Sequence, residues 1–185
     1  MKLFANLLQP RAATPMGPAN DFWYGPVGIN SVAGIQISPQ TAMAISTVFA
    51  CIRIISQSLA TLPLLVYRRL EPEGKERAPG HPLYSVLHSR SNVRQTSQQF
   101  RQMMTAHVLL RGNAFAVIEW DRRGQVAQLT PLNPDRMRVV VNARGEKYYE
   151  YRPTSGLLKN YLQDEIFHLM GLTDDGVTGI SVINM

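Results

Sequence analysis

The side chains of this sequence that could do chemistry are four histidines, one cysteine and a few neighbouring carboxylates. A zinc or hydrolytic metal site would need histidines one helical turn apart, as in HExxH, or a CxxC pair. His81, His88, His107 and His168 have no such spacing, and Cys51 has no partner cysteine. His81 and His88 could share a neighbourhood, but two histidines without a third ligand make a poor site. Glu119 and Asp121 flank Trp120, so strand alternation would put both carboxylates on one face, where acid–base work is conceivable; Arg122, Arg123 and Arg138 are their expected ordinary partners. Asp174 and Asp175 before Gly176 hint at a calcium loop but lack alternating carboxylates and a bidentate Glu, which makes them a turn. Neither a GxSxG elbow nor a GxxxxGK[ST] phosphate loop occurs. No catalytic, cofactor-binding or metal-binding residue is assigned. His107 and Cys51 fall within apolar helical segments and are expected to be core residues, His107 with a hydrogen-bond partner.

Arginine is the more telling residue. The formal net charge is +6. Between Arg77 and Ile118 there is no acid, while Arg90, Arg94, Arg101 and Arg111 all fall inside that stretch. A one-sign face of this kind suits a polyanion or another protein surface. Equally, these arginines could pair with acids elsewhere on the chain or on a neighbour. Arg90, Arg94, Arg101 and Arg111 are therefore the candidate subunit or DNA contacts. A helix-turn-helix over residues 82–111 is the sequence-specific version of that idea. The linking residues SNVRQT contain no Gly, and the second helix is apolar all along, which argues against it.

The elements that must position these residues follow from periodicity. Thr96 and Gln99 have capping-box spacing, and Phe100, Met103, Met104, His107 and Leu110 form one helical stripe. Arg111-Gly112-Asn113 ends that helix, and residues 114–120 form a strand too apolar to face solvent on either side. Upstream, Ser38 and Pro39 start a helix striped by Ile45, Val48, Phe49, Ile52, Ile55 and Leu59, which Pro63 stops. Residues 64–69 are a strand leading to the hairpin tip EPEGKER, and HPLYSVLHSR is a short helix. After residue 120 come strands near 125–130, 137–141, 146–152 and 166–169. The order predicts an α+β fold with helices packed on one side of an antiparallel β meander. Residues 1–37, punctuated by Pro and Gly, form a separate, loosely ordered N-terminal segment, and 38–185 the folded domain. The aromatic cluster Phe22-Trp23-Tyr24 in that segment is expected to dock on its own domain or on another subunit. The lone cysteine points to a reducing compartment. No apolar run is long enough to span a membrane, and the N-terminal apolar patch is too short for a signal peptide.

Five ordered stretches resemble the phage portal proteins, the ring-shaped connectors at the packaging vertex of tailed-phage heads. They are TAMAISTVFACIRIISQSLATLPLLVYRR, GHPLYSVL, Asn92 with TSQQFRQMMTAHVLLRGNAFAVIEWDRRGQV, LTPLNPDRMRV, and EIFHLMGL followed by Gly176 and Gly179-Ile180-Ser181. The resemblance implies a wing-like α+β domain that stops before the stem, clip and crown. It further implies a non-enzymatic homo-oligomeric ring, a dodecamer, located in the virion and assembled in the host cytoplasm. Its partners would be the major capsid protein, terminase, head–tail adaptor proteins and double-stranded DNA in the channel, with no membrane and no cofactor. The alternative is a free-standing basic domain that binds nucleic acid non-specifically through phosphate contacts, with steep salt dependence.

Overall fold

The computed structural model describes residues 29–30 and 36–184. The aromatic cluster at residues 22–24 lies outside the described residues.

A two-residue hairpin, β1 (Ile29–Asn30) with β2 (Gln36–Ile37), leads into α1 (Pro39–Met43). Ser38 caps α1, its hydroxyl accepting from the Thr41 amide at 3.1 Å while Thr41 Oγ1 accepts from the Ser38 amide at 2.7 Å. The single helix expected from Ser38 to Pro63 is in fact two. Ile45 takes extended backbone (φ −82°, ψ 115°), and α2 (Ser46–Thr61) starts anew from it. This turn swings α2 so that Ile52, Ser56 and Ala60 face inward, while Ile45, Phe49, Ile55 and Leu59 of the expected stripe stay exposed. Small Ser56 and Ala60 let the neighbouring helix approach closely along that line. Cys51 lies about 140° round the helix from Ser56, at roughly 100° per residue, and is exposed instead of buried.

Next come the hairpin β3 (Tyr67–Arg69) and β4 (Lys75–Arg77), the short helix α3 (Pro82–His88), and α4 (Ser97–Arg111). The Thr96–Gln99 capping box is formed as the sequence predicts, and Gly112 closes α4 in the left-handed conformation at φ 76°. Then β5 (Asn113–Trp120) pairs with β6 (Val126–Leu132), a 3₁₀ turn at Pro134–Arg136 intervenes, and β7 (Met137–Val141), β8 (Lys147–Tyr151), β9 (Lys159–Leu162) and β10 (Ile166–Met170) complete the strands.

The α+β class with antiparallel strands is as expected, but the single meander is not. The strands split into two three-stranded sheets, ordered β10-β5-β6 and β7-β8-β9. Pro134 interrupts the run after β6, and β10 returns to the free edge of β5, placing Ile166 opposite Val117. β5 thus becomes a central strand with both faces covered. Ala114 and Ala116 pack under Phe100 and Met104 of α4 and Val86 of α3. Phe115 on the opposite face packs with Tyr149 and Ile166, against Met137 and Val139 of the second sheet. Period-two alternation on one strand thereby builds two cores and three layers: helices, sheet, sheet.

Candidate interaction surface

The four arginines do not converge on one site. Arg90 is exposed and donates to the carbonyls of Asn92 (3.2 Å) and Val93 (2.6 Å), pinning the link before α4. Arg94 is exposed too, and its guanidinium meets no partner among the described residues. Arg101 sits in the seam between α4 and α2. Its Nη2 donates to the Ala60 carbonyl at 2.9 Å, placing a cation at the C-terminal end of α2. Its Nε and Nη1 are screened from solvent and find no acceptor among the described residues. Arg111 grips Asp135 through two bonds of 2.5 and 2.7 Å, from Nε and Nη2. The acid-free stretch therefore conceals a paired arginine, because the 3₁₀ turn brings Asp135 back to the end of α4.

The remaining candidate groups are dispersed as well. Glu119 accepts from Gln128 and Thr130 across the β5–β6 ladder, whereas Asp121 Oδ1 accepts the amides of Arg123 (2.7 Å) and Gln125 (2.8 Å) to make the hairpin turn. β5 ends at Trp120, so the two carboxylates belong to a strand and to a turn and share no site. Of the arginines expected beside them, Arg138 lies 3.8 Å from Glu150. His81 caps α3 through Nδ1, which accepts from the Leu83 amide at 3.2 Å, and His88 packs on Tyr84. Among the described residues, no group of three His, Cys, Asp or Glu side chains could hold a metal ion. Asp174 and Asp175 lie in the turn foreseen. The Asp175 carboxylate, held down to about 2 by backbone amides of Thr178 and Val177, organises that loop.

His107 is half-buried, and its Nδ1, screened from solvent, has no partner among the described residues, contrary to the expected hydrogen bond. Burial, with Arg111 adding to it and Asp135 opposing it, lowers its pKa to about 4. His168 has the partners that His107 lacks. The Gly179 amide donates to Asn113 Oδ1 at 2.7 Å, which fixes that atom as an acceptor. His168 Nε2, 2.9 Å from the same oxygen, must then carry the proton, leaving Nδ1 to accept from the Tyr149 hydroxyl at 3.3 Å. Its ring stacks on Phe115 at 4.4 Å between centroids. Burial, then Lys147, lowers the His168 pKa to about 4.

Asn113 is the centre of the best-built polar cluster. Its Nδ2 donates to the Gly179 carbonyl at 2.8 Å. The Gly171 amide donates to the Gly112 carbonyl at 2.8 Å, and Ser181 Oγ donates to the Leu110 carbonyl at 2.7 Å. A Cβ on Gly112 would stand 2.3 Å from the Gly179 oxygen, so the two backbones touch. The sequence marks this junction only as a helix-ending RGN and a distant run of glycines at 171, 176 and 179. Nothing local says that the two meet.

Residues 46–185 match the family model described as "Phage portal protein". The chain is 32% identical over 161 residues to the portal protein of Enterobacteria phage HK97, covering 86% of this chain and 38% of that protein. It is also 32% identical over 132 residues to Protein BeeE of Escherichia coli (strain K12), covering 71% of this chain and 83% of that protein. Among solved structures, a chain from the neck of a native gene transfer agent particle, computed with C12 symmetry, superposes with a TM-score of 0.62 at 22% identity. That match covers 77% of this chain and 37% of the other, and it speaks to the fold alone. The chain thus spans under two-fifths of the HK97 portal protein's length.

Proposed function

The chain belongs to the phage portal protein family, and we propose on that premise that it acts as a structural, non-catalytic part of a portal ring. Residues 38–185 serve as a wing-like domain, and 1–37 as a separate N-terminal segment. Copies of the subunit close a ring at one capsid vertex, through which double-stranded DNA passes during packaging and ejection. Terminase, the major capsid protein and head–tail adaptors are the partners of that ring, which is assembled in the host cytoplasm and retained in the virion. The observation that carries this proposal is the family match, which covers the whole body from α2 onward. The C12 symmetry of the gene transfer agent neck supports a ring of twelve.

Arg90 and Arg94 are the arginines most available for contacts, since both reach solvent and neither meets an acid among the described residues. Light scattering on the purified chain at low and moderate salt tests the proposal. A discrete species near twelve subunits is the expected result. A monomer whose duplex affinity collapses with added salt would favour the free-standing nucleic-acid-binding domain. Arg94→Ala should weaken assembly or DNA association and leave thermal stability unchanged, whereas Arg90→Ala should do so with a small loss of stability, because it also removes the two bonds to the Asn92 and Val93 carbonyls. A large drop in Tm would show instead that these side chains are structural.

A further inference from the structure

The two three-stranded sheets have four outer strands, and three of them have protected edges. On β6 the Leu129 amide donates to the Ser91 carbonyl at 2.8 Å, and the Leu129 carbonyl accepts from Asn92 Nδ2 at 2.9 Å. β7 and β9 carry Arg138 and Lys159, and a charge on an outer strand discourages further pairing. β10 has neither device. Its residues, Ile166-Phe167-His168-Leu169-Met170, include no Lys, Arg, Asp, Glu or Pro.

The ladder fixes which backbone groups this edge offers. The Ile118 amide donates to the Glu165 carbonyl, and the Gly171 amide to the Gly112 carbonyl at 2.8 Å, so the odd-numbered residues along β10 are the ones bonded to β5. In an antiparallel pair the residues between them turn N–H and C=O away from the partner strand. His168 and Met170 therefore present two donors and two acceptors that meet no partner among the described residues. Just past the strand the same edge is already in use, where the Ile180 amide donates to the Leu172 carbonyl at 2.7 Å.

The flank of the edge is apolar. Phe167 and Leu169 share a cavity of about 200 Å³ with Leu59 and Leu64, and all four side chains are 39–50% exposed. Unpaired backbone groups in this pattern select an extended backbone, and the apolar flank selects apolar side chains at alternate positions. Asp164 and Glu165, exposed at the start of β10, select a base at the matching end of the incoming strand. A second β10 supplies no such base, which favours a different protein. We propose that the edge of β10 docks an extended segment of another protein, added as an outer strand, with alternate apolar side chains on Phe167 and Leu169 and a basic residue beside Asp164 and Glu165.

The test is amide hydrogen exchange on the full chain, read residue by residue by mass spectrometry. The probe is a synthetic peptide of Lys followed by alternating Val and Thr. With peptide at about ten times its Kd, exchange at His168 and Met170 should slow about tenfold, while Phe167 and Leu169, already bonded to β5, change little. The same peptide with its backbone nitrogens methylated should have no effect. Leu169→Lys, a charge beside the edge, should abolish the slowing. If that variant fails to fold, the methylated peptide still decides. No slowing with the unmodified peptide overturns the proposal, as does equal slowing with the methylated one. Slow exchange at both amides in the free, dilute chain overturns it too, by assigning the edge to the chain's own residues. Slowing that grows with chain concentration alone overturns it by assigning the edge to a second copy.

Discussion

Replacing Gly112 by Ala probes the junction between the end of α4 and the segment around Gly179. Two costs arise in the folded state. At φ 76° an L-residue is in the left-handed region, which costs about 1–2 kcal/mol. The new methyl would also stand 2.3 Å from the Gly179 oxygen and 2.5 Å from the carbonyl carbons of Gly179 and Ile180. These are backbone atoms, so relief requires the whole 179–181 segment to move away. That movement breaks the paired Asn113–Gly179 bonds and strains the Gly171–Gly112 bond, each worth about 1 kcal/mol net. The sum is about 3–5 kcal/mol. A control comes from Gly124, which shares a positive φ of 70° but has nothing within 4 Å of its would-be Cβ. Gly124→Ala should cost only the conformational term, about 1–2 kcal/mol. For a domain of this size each kcal/mol lowers Tm by about 2–4 °C. Urea unfolding followed by circular dichroism measures both variants, and Gly112→Ala should lose at least about 2 kcal/mol more than Gly124→Ala. Equal losses would refute the close backbone approach and reduce Gly112 to an ordinary helix end.

Acid should destabilise the fold between about pH 6.5 and 4. The pKa values of His107 and His168 are lowered to about 4 in the folded state, so in that window the unfolded chain binds more protons. Stability is full above the ordinary histidine pKa and falls as pH drops through the window. His107→Leu breaks no hydrogen bond of Nδ1 and should make that fall shallower; an unchanged slope in acid-dependent urea midpoints would contradict the burial of His107. Arg111→Ala removes the two-bond contact to Asp135, with 18% of the Arg111 side chain exposed and 40% of Asp135. After screening at the more exposed partner, the expected loss in urea unfolding is about 1–2 kcal/mol, and adding Asp135→Asn should cost little more.

Elements specified within one turn of chain were legible in the sequence. The Thr96–Gln99 box, the Gly112 stop and Pro82 at the start of α3 each act through backbone groups three or four residues away, and each stands where the pattern places it. Long-range choices were not legible. That β10 would join the far edge of β5 depends on Ile166 meeting Val117 from a distant part of the chain. β9 (Lys159–Leu162) has little apolar signal of its own and exists because Tyr161 pairs opposite Tyr149. The break at Ile45 carries no Gly or Pro and no side-chain cap, so only the packing of α2 on α4 reveals it.

The same limit explains why the candidate arginines separated. A run without acids in sequence says nothing about acids brought in by topology, and Asp135 reaches Arg111 from a turn that sequence could name but not aim. Helix α2 carries the converse lesson. Its apolar stripe is wide, and periodicity reports that such a face will be covered without saying by what. Within the described residues α4 covers only the line through Ile52, Ser56 and Ala60, and larger side chains such as Ile55, Leu59 and Leu62 remain outside. A domain that had to be stable alone would place its large residues on the buried line and its small ones at the margin. Here the order is reversed, which is the pattern of a helix shared between its own core and a further surface. The large residues that make α2 look like a core helix therefore lie mostly outside the core that it forms with α4 among the described residues.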